Sequence, residues 1–182
     1  DSLQTLSTWQ GRMFAQLQDF DLQHWQEWLI LPTDVVLTRG QGSVRAWMDI
    51  ETGDIASWVA DMNLQAATLR FAQQPPLSIR HLRGRSGWNR KEDDTGVEEQ
   101  WFVRNLRLAL NKQPSQRSFT PITAAWHVYH RKDHQPAEYR LQVDQLDLGM
   151  LTQLAAYLPL ASTQYDFLAN LSPRGLIKHA DF

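Results

Sequence analysis

The feature that most constrains the fold of this chain is a segment that occurs twice. The two copies are DFDLQHWQEWLILP, from Asp19 to Pro32, and QLDLGMLTQLAAYLP, from Gln145 to Pro159. Self-similarity of this kind is typical of units that bury their apolar faces by stacking on copies of themselves. We therefore expect residues 1–182 to form a single fragment of a longer repeat array, with helix-strand copies that begin near residues 19 and 145.

Each copy should contain one short helix. Asp21 and Asp147 stand at helix N-cap positions, where a carboxylate accepts hydrogen bonds from the free amides of the first turn. Apolar residues then follow at helical spacing, namely Trp25, Trp28 and Leu29 in the first copy and Leu151, Leu154 and Ala155 in the second. Pro32 and Pro159 should end these helices, because proline cannot continue the pattern of backbone hydrogen bonds.

Between the two copies the dominant period is two, which predicts β-strands. Residues 43–50 and 55–71 alternate on either side of the turn-forming segment 51–54, and this arrangement is typical of a hairpin. The glycine-containing segment 38–42 reads as a turn that precedes this hairpin. A Pro-Pro pair at 75 and 76 interrupts the pattern before the next strand.

The same alternation continues towards the second copy. We expect a strand over residues 77–89, a solvated loop over 90–96, a strand from 97 to about 111, and two further strands between 122 and 147 with a turn near 133–137. The predicted fold class is mainly β with two short helices, arranged as a curved antiparallel meander sheet of the repeating β-groove type. In such a sheet the side chains of alternate residues lie on opposite faces.

Composition excludes several functional classes. A net charge of −2 and a pI near 6.3 disfavour nucleic-acid binding, which requires clustered excess Lys and Arg. The absence of cysteine excludes disulfides, thiol catalysis and cysteine zinc sites. No apolar run approaches the ~20 residues of a transmembrane helix, so we expect no membrane span in this sequence.

No catalytic or metal-binding motif is evident, and we expect no enzyme activity, cofactor or metal. His127, His130 and His134 have a spacing that would suit a metal on a helix, but on a strand His127 and His130 point to opposite faces. The acids of Glu92–Asp94 read as a solvated hairpin tip rather than a calcium site. A solvated strand face is likewise the simpler interpretation of a local basic cluster that contains Arg80, Arg83, Arg85 and Arg90.

The order of several segments resembles a known family. These segments are GQGSVRAWMDIETGDIASWVADMNLQAATLRF, LSIRHLRGRSGW, FVRNLRLAL, YRLQVDQLDLGMLTQLAAYLPL and LANLSPRGLIKHADF. Together they are similar to the periplasmic region of YhdP-like proteins, which are large members of the AsmA-like superfamily of Gram-negative envelopes. The resemblance covers most of the chain from about Gly40 onward, and it rests on the order of the segments rather than on a single motif.

This resemblance implies a function. It implies a segment of a bridge-like periplasmic lipid carrier, whose parent is anchored in the inner membrane and whose apolar groove conducts phospholipid towards the outer membrane. The partners would be phospholipid acyl chains and the neighbouring repeats of the same chain.

Alternation identifies candidates for the residues that line such a groove. They are Val44, Ala46, Met48, Ile50, Trp58, Ala60, Met62, Leu64, Phe102, Leu106, Leu108, Leu110, Trp126, Val128, Leu141 and Val143. The competing interpretation is that many of them pack against the helices or a second layer of sheet.

Two other functional classes remain open. One is a non-catalytic scaffold or interaction module of the envelope, with self-packed sheet faces and edges that recruit neighbouring units. The other is an enzyme with a polar pocket that joins His127 or His130 to a carboxylate. A continuous apolar face would favour the lipid carrier, whereas a sealed apolar core would favour the scaffold.

Overall fold

The computed structural model describes residues 9–22, 35–71, 73–111, 120–132, 135–157, 160 and 162–182. One antiparallel sheet dominates the fold, and its strands are hydrogen-bonded in the order in which they occur along the chain. The strands are β1 (Gly11–Asp21), β2 (Val35–Glu51), β3 (Asp54–Phe71), β4 (Leu77–Glu92), β5 (Gly96–Leu110), β6 (Ile122–Arg131), β7 (Glu138–Asp147) and β8 (Leu176–Asp181). Two short helices, α1 (Leu148–Ala155) and α2 (Ser162–Leu171), lie between β7 and β8. The predicted fold class, a mainly β meander with two short helices, is confirmed.

The hairpin predicted around residues 51–54 is confirmed. Glu51 pairs with Asp54, and the two residues between them, Thr52 and Gly53, have φ values of 51° and 84°. A two-residue turn with positive φ at both positions has a twist that matches the flanking strands, and glycine adopts such a φ without steric cost. The turn therefore sets the register in which β2 and β3 pair.

The turn predicted over residues 38–42 is wrong, because β2 continues through this segment. The pairing of β2 with β3 shifts between Leu37 and Arg39 and again between Arg39 and Gln41. Gly40, at φ 145°, lies within this irregularity, and a Cβ atom there would approach Leu22 Cδ1 to 2.6 Å. The glycine signal thus marks a β-bulge inside a strand rather than the end of one.

The loop predicted over residues 90–96 is shorter in the structure. Strands β4 and β5 pair as far as Glu92 and Val97, which leaves residues 93–95 as the tip. Asp93 Oδ1 accepts hydrogen bonds from the backbone amides of Thr95 and Gly96, at 2.7 and 2.9 Å. The Asp93 side chain therefore stabilises the turn by accepting from backbone amides of the residues that follow it.

The helix predicted in the second copy is confirmed as α1, which ends at Ala155, before the predicted end at Pro159. Asp147 is its N-cap, and its Oδ1 atom accepts from the amides of Gly149 at 2.9 Å and Met150 at 3.2 Å. The helix predicted in the first copy falls on residues 23–34, which lie outside the described residues. The sequence did not predict α2.

The hydrophobic core lies at one end of the sheet, where α1 packs. Met150 of α1 is 1% exposed and belongs to a cluster with the following buried residues of β1, β3, β4, β5 and the turn after β1: Phe20, Leu22, Leu64, Ala67, Leu77, Ile79, Leu108 and Leu110. Burial of this size provides most of the free energy that holds the helix against the strands. Among the described residues, no helix is long and apolar enough to cross a membrane.

Candidate functional site: an apolar sheet face

One face of the sheet carries a line of apolar side chains from β1 to β7. The register aligns Met13, Met48, Trp58, Trp88, Trp101, Trp126 and Leu141 as a single line across successive strands. We call Trp58, Trp88, Trp101 and Trp126 the tryptophan row, and the side of the sheet that carries them the apolar face. The row arises because each strand contributes an apolar residue at the same height in the sheet, where cross-strand neighbours contact one another.

Aromatic contacts connect neighbouring strands along this line. The rings of Trp88 and Trp101 lie 5.8 Å apart, and those of Trp126 and Tyr139 are also separated by 5.8 Å. Both spacings fall in the range in which aromatic pairs attract each other. The indole nitrogen of Trp88 is buried and has no acceptor among the described residues, so the row contains one unmet hydrogen-bond donor.

A second line of small residues runs beside the tryptophan row. Ala46, Ala60, Ser86, Val103 and Ala124 occupy matching positions on successive strands. The only hydroxyl in this line, Ser86 Oγ, donates to the carbonyl oxygen of Phe102 at 3.1 Å. The line therefore presents a smooth apolar surface with no free polar side chain.

The apolar face has two parts that differ in exposure. Near α1 it is sealed, as shown by exposed fractions of 6% for Leu64 and Leu108. At the level of the tryptophan row it is open, and the exposed fraction rises to 41% for Trp101 and 42% for Trp126. A contiguous exposed apolar patch is typical of interaction surfaces.

The predicted groove residues divide accordingly. The first group is half-buried or exposed on the apolar face, and its members are Val44, Ala46, Met48, Trp58, Met62, Leu106, Trp126, Val128 and Leu141. The second group is buried in the sheet and its core, and its members are Ile50, Ala60, Leu64, Leu108, Leu110 and Val143. The residues of the second group therefore pack inside the protein, as the competing interpretation proposes. The side chains of the first group are accessible to a ligand.

Phe102 and Leu106 are both among the predicted groove residues, but the structure places them on opposite faces. Phe102 pairs with Gly87 and follows Trp101, so its side chain lies on the opposite face, beneath the guanidinium of Arg104 at 4.7 Å. The cause is a bulge in β5, where Asn105 has a φ of 49° and the pairing with β6 shifts between Val103 and Leu106. One extra residue in a strand exchanges the two faces for all residues beyond it.

Sequence reasoning missed several residues of the apolar face. Trp88 and Trp101 are the most prominent, together with Met13 on β1 and Tyr139 on β7. The signal that could have found the two tryptophans is their distance from the β4–β5 turn, because pairing outward from residues 93–95 sets Trp88 opposite Trp101.

The opposite face, which we call the polar face, carries ion pairs between charged side chains as well as some aromatic residues. Arg85 donates two hydrogen bonds to Asp61, at 2.6 and 2.9 Å, and these bonds hold the pKa of Asp61 below its ordinary value. Arg12 Nε donates to Asp49 at 2.8 Å, and Ser57 adds a bond of 2.9 Å, so the pKa of Asp49 is also lowered. The sheet therefore separates a face with many ion pairs from the face that carries the tryptophan row.

The histidines and acids considered for metal binding are arranged differently. His127 lies on the polar face, 3.2 Å from Gln100 Nε2 and 3.4 Å from Glu98 Oε1. His130 belongs to the other face of β6, as the strand prediction requires, and His134 lies outside the described residues. Within the part of the chain that the structure describes, no three such side chains come together as a metal site.

Comparison with known proteins identifies a family. A family model described as YhdP protein matches residues 2–182. No curated protein and no solved structure matches the chain. The resemblance inferred from the sequence is thus confirmed, and it extends beyond the part from Gly40 onward to nearly the whole chain.

Proposed function

The chain belongs to the YhdP family of AsmA-like envelope proteins, and we propose that its apolar face holds the acyl chains of phospholipids. In this proposal the chain is one segment of a bridge-like carrier that conducts phospholipid between the inner and outer membranes. The observation that carries the proposal is the tryptophan row, in which the indole rings of Trp101 and Trp126 are exposed and which is bordered by a line of small residues.

Such a face suits acyl chains for a simple physical reason. Each methylene group that leaves water gains about 0.8 kcal/mol, irrespective of which apolar side chain it contacts. A row of apolar side chains can therefore hold a hydrocarbon chain at many positions along its length. This property allows movement along the surface, whereas a site with specific hydrogen bonds would fix one position.

The proposal includes location and partners. The segment works in the periplasm of a Gram-negative cell, its parent protein is anchored in the inner membrane, and its role is non-catalytic. Among the described strands, β1 and β8 are the outermost, and their edges are where neighbouring repeats of the same chain would join the sheet.

Lipid extraction tests the proposal. The chain is purified from a Gram-negative host without detergent and extracted with organic solvent, and the lipids are identified by mass spectrometry. We expect stoichiometric phospholipid with the unaltered chain and a loss of most of it with Met48→Asp, which places a charge on the open part of the apolar face. Gln65→Glu introduces a carboxylate at an exposed position of the opposite face and should retain the lipid.

Two outcomes would count against the proposal. Equal lipid content in the Met48→Asp and Gln65→Glu variants would mean that the lipid binds elsewhere. A folded chain that remains lipid-free after incubation with phospholipid vesicles would instead favour the non-catalytic scaffold module, for which the sealed core beneath α1 is the supporting observation.

A further inference from the structure

The polar face contains a cleft with a strong excess of positive charge. The cleft has a volume of about 910 Å³ and extends across β1 to β5. Its charged lining residues are Arg45, Arg83, Arg85, Arg104, Arg107 and Asp61. We call this the arginine cleft. Since the whole chain has a net charge of −2, this concentration of arginine is local and does not reflect composition.

The register places arginines directly opposite one another. Arg83 on β4 pairs with Arg107 on β5, and Arg85 pairs with Arg104 on the same two strands. Like charges at directly opposed positions of a sheet destabilise it. An arrangement with two such pairs side by side is stabilised when an anion lies between the guanidinium groups.

The single carboxylate of the cleft does not balance these charges. Asp61 is bonded to Arg85 and lies 3.5 Å from Arg45, so its charge is already shared between two guanidinium groups. Arg104 stacks on the ring of Phe102. Within the described part of the chain, Arg83 and Arg107 have no carboxylate partner, and together they carry two positive charges.

We propose that the arginine cleft binds a phosphate group, with Arg83 and Arg107 as the residues that contact it. A phosphate carries up to two negative charges and offers several oxygen atoms, which match the paired donors of opposed guanidinium groups. A single carboxylate would neutralise only one of the arginines that lack a carboxylate partner. Side-chain amides of Gln16 and Asn63 also line the cleft and provide neutral donors beside the charged ones.

This site is distinct from the apolar face. Arg83 directly follows Leu82 in β4, and Arg107 directly precedes Leu108 in β5. Because neighbouring residues of a strand lie on opposite faces, the two arginines lie on the face opposite to these leucines. A phospholipid whose acyl chains lie on the apolar face cannot reach through the sheet to the cleft. The inference therefore stands whether or not the chain holds lipid.

Isothermal titration calorimetry with inorganic pyrophosphate tests the proposal. We expect saturable binding to the full chain and a reduction in affinity of about tenfold or more for Arg83→Gln/Arg107→Gln. The double variant Arg12→Gln/Arg140→Gln is the matched control, because it removes the same charge from ion pairs outside the cleft and should bind as the unaltered chain does. A circular dichroism spectrum of each variant checks that the sheet is retained.

Two further titrations identify the source of the phosphate. The chain could bind phosphatidic acid vesicles in preference to phosphatidylcholine vesicles. If only the cleft variant loses this preference, the phosphate belongs to a lipid headgroup. Binding of pyrophosphate without binding of vesicles would assign it to a soluble compound.

Three results would overturn the proposal. The first is equal affinity of the cleft and control variants for pyrophosphate. The second is a heat of binding that chloride at matched ionic strength abolishes in all variants alike, since this indicates screening of charge in general. The third is binding of a polyglutamate peptide without binding of pyrophosphate, which would show that the cleft accepts an acidic protein segment instead.

Discussion

The rings of Trp58 and Trp101 lie 6.2 Å apart, at 74° to each other, although strand β4 separates the strands that carry them. Strands that are two positions apart in a sheet are separated by about 9.6 Å, twice the usual spacing. The side chains thus lean towards each other over the apolar face. A surface whose aromatic side chains converge in this way encloses more of a ligand than a flat one does, which supports the proposal that acyl chains bind here.

Met150 should contribute strongly to stability, because its side chain joins α1 to the core. Replacing the buried Met150, which is 1% exposed, with alanine should lower the free energy of unfolding by about 2–5 kcal/mol. Met13→Ala is the matched control, since Met13 is 40% exposed and its truncation should cost less than about 1 kcal/mol. Urea denaturation followed by circular dichroism measures both values, and similar costs would contradict the assignment of α1 to the core.

Asp147 should stabilise α1 through its side chain. Asp147→Ala removes the acceptor for the amides of Gly149 and Met150 and should cost about 1 kcal/mol. Asp147→Ser retains an oxygen acceptor at the N-cap and should recover most of this loss. Hydrogen exchange of the Met150 amide provides a local measure, and the N-cap role would be wrong if exchange were equally fast in both variants.

The bulge at Asn105 should tolerate glycine but not a β-branched residue. Asn105 has a φ of 49°, and its amide donates to Thr123 Oγ1 at 3.1 Å. Asn105→Gly should leave the stability nearly unchanged, whereas Asn105→Val should lower it by about 1–2 kcal/mol because of the clash between Cβ and the backbone. Thermal unfolding compares the two variants. A valine variant as stable as the glycine variant would argue against a bulge at this position.

Asp61 should make the stability depend on pH in the acid range. Hydrogen bonds from Arg85 lower the pKa of Asp61 in the folded state. The contribution of Asp61 to the free energy of unfolding is therefore fully present above the unfolded pKa of about 3.9, and it is lost as the pH falls through the lower pKa of the folded state. Asp61→Asn should therefore cost roughly 1 kcal/mol at pH 7, and the difference from the unaltered chain should shrink below about pH 4.

The control for Asp61 is Asp54→Asn, at an exposed position of the β2–β3 turn. This change should alter the free energy of unfolding by less than about 0.5 kcal/mol at either pH. Urea denaturation at pH 7 and pH 3 measures both variants. A cost of Asp61→Asn that is the same at the two pH values would refute the coupling to Arg85.

The parts of the fold that were predictable are those with local signals. Unbroken alternation on both sides of Glu51–Asp54 predicted the β2–β3 hairpin, and Asp147 predicted the start of α1. Strand β1 was not predicted from the sequence. Phe14 places an apolar side chain on the polar face, where its ring lies 5.3 Å from that of Trp47. Local alternation is ambiguous in such a segment, and only pairing with β2 defines its faces.

The candidate site was only partly predictable, because it depends on register. The bulge at Asn105 reverses the alternation within β5, and the residues around it do not indicate on which face of the sheet Phe102 lies. The opposed pairs of Arg83 with Arg107 and of Arg85 with Arg104 likewise arise from pairing between strands. The assignment of the chain to a repeat array, with copies near 19 and 145, stays a prediction.

Photochemical cross-linking at two adjacent residues tests the central claim most directly. Benzoylphenylalanine replaces Trp101, on the apolar face, or Phe102, on the polar face, and each variant is irradiated with phospholipid vesicles and analysed by mass spectrometry. If acyl chains lie on the apolar face, the probe at 101 forms an adduct with phospholipid and the probe at 102 does not. Equal adducts at both positions, or none at 101 in a folded chain, would contradict the account.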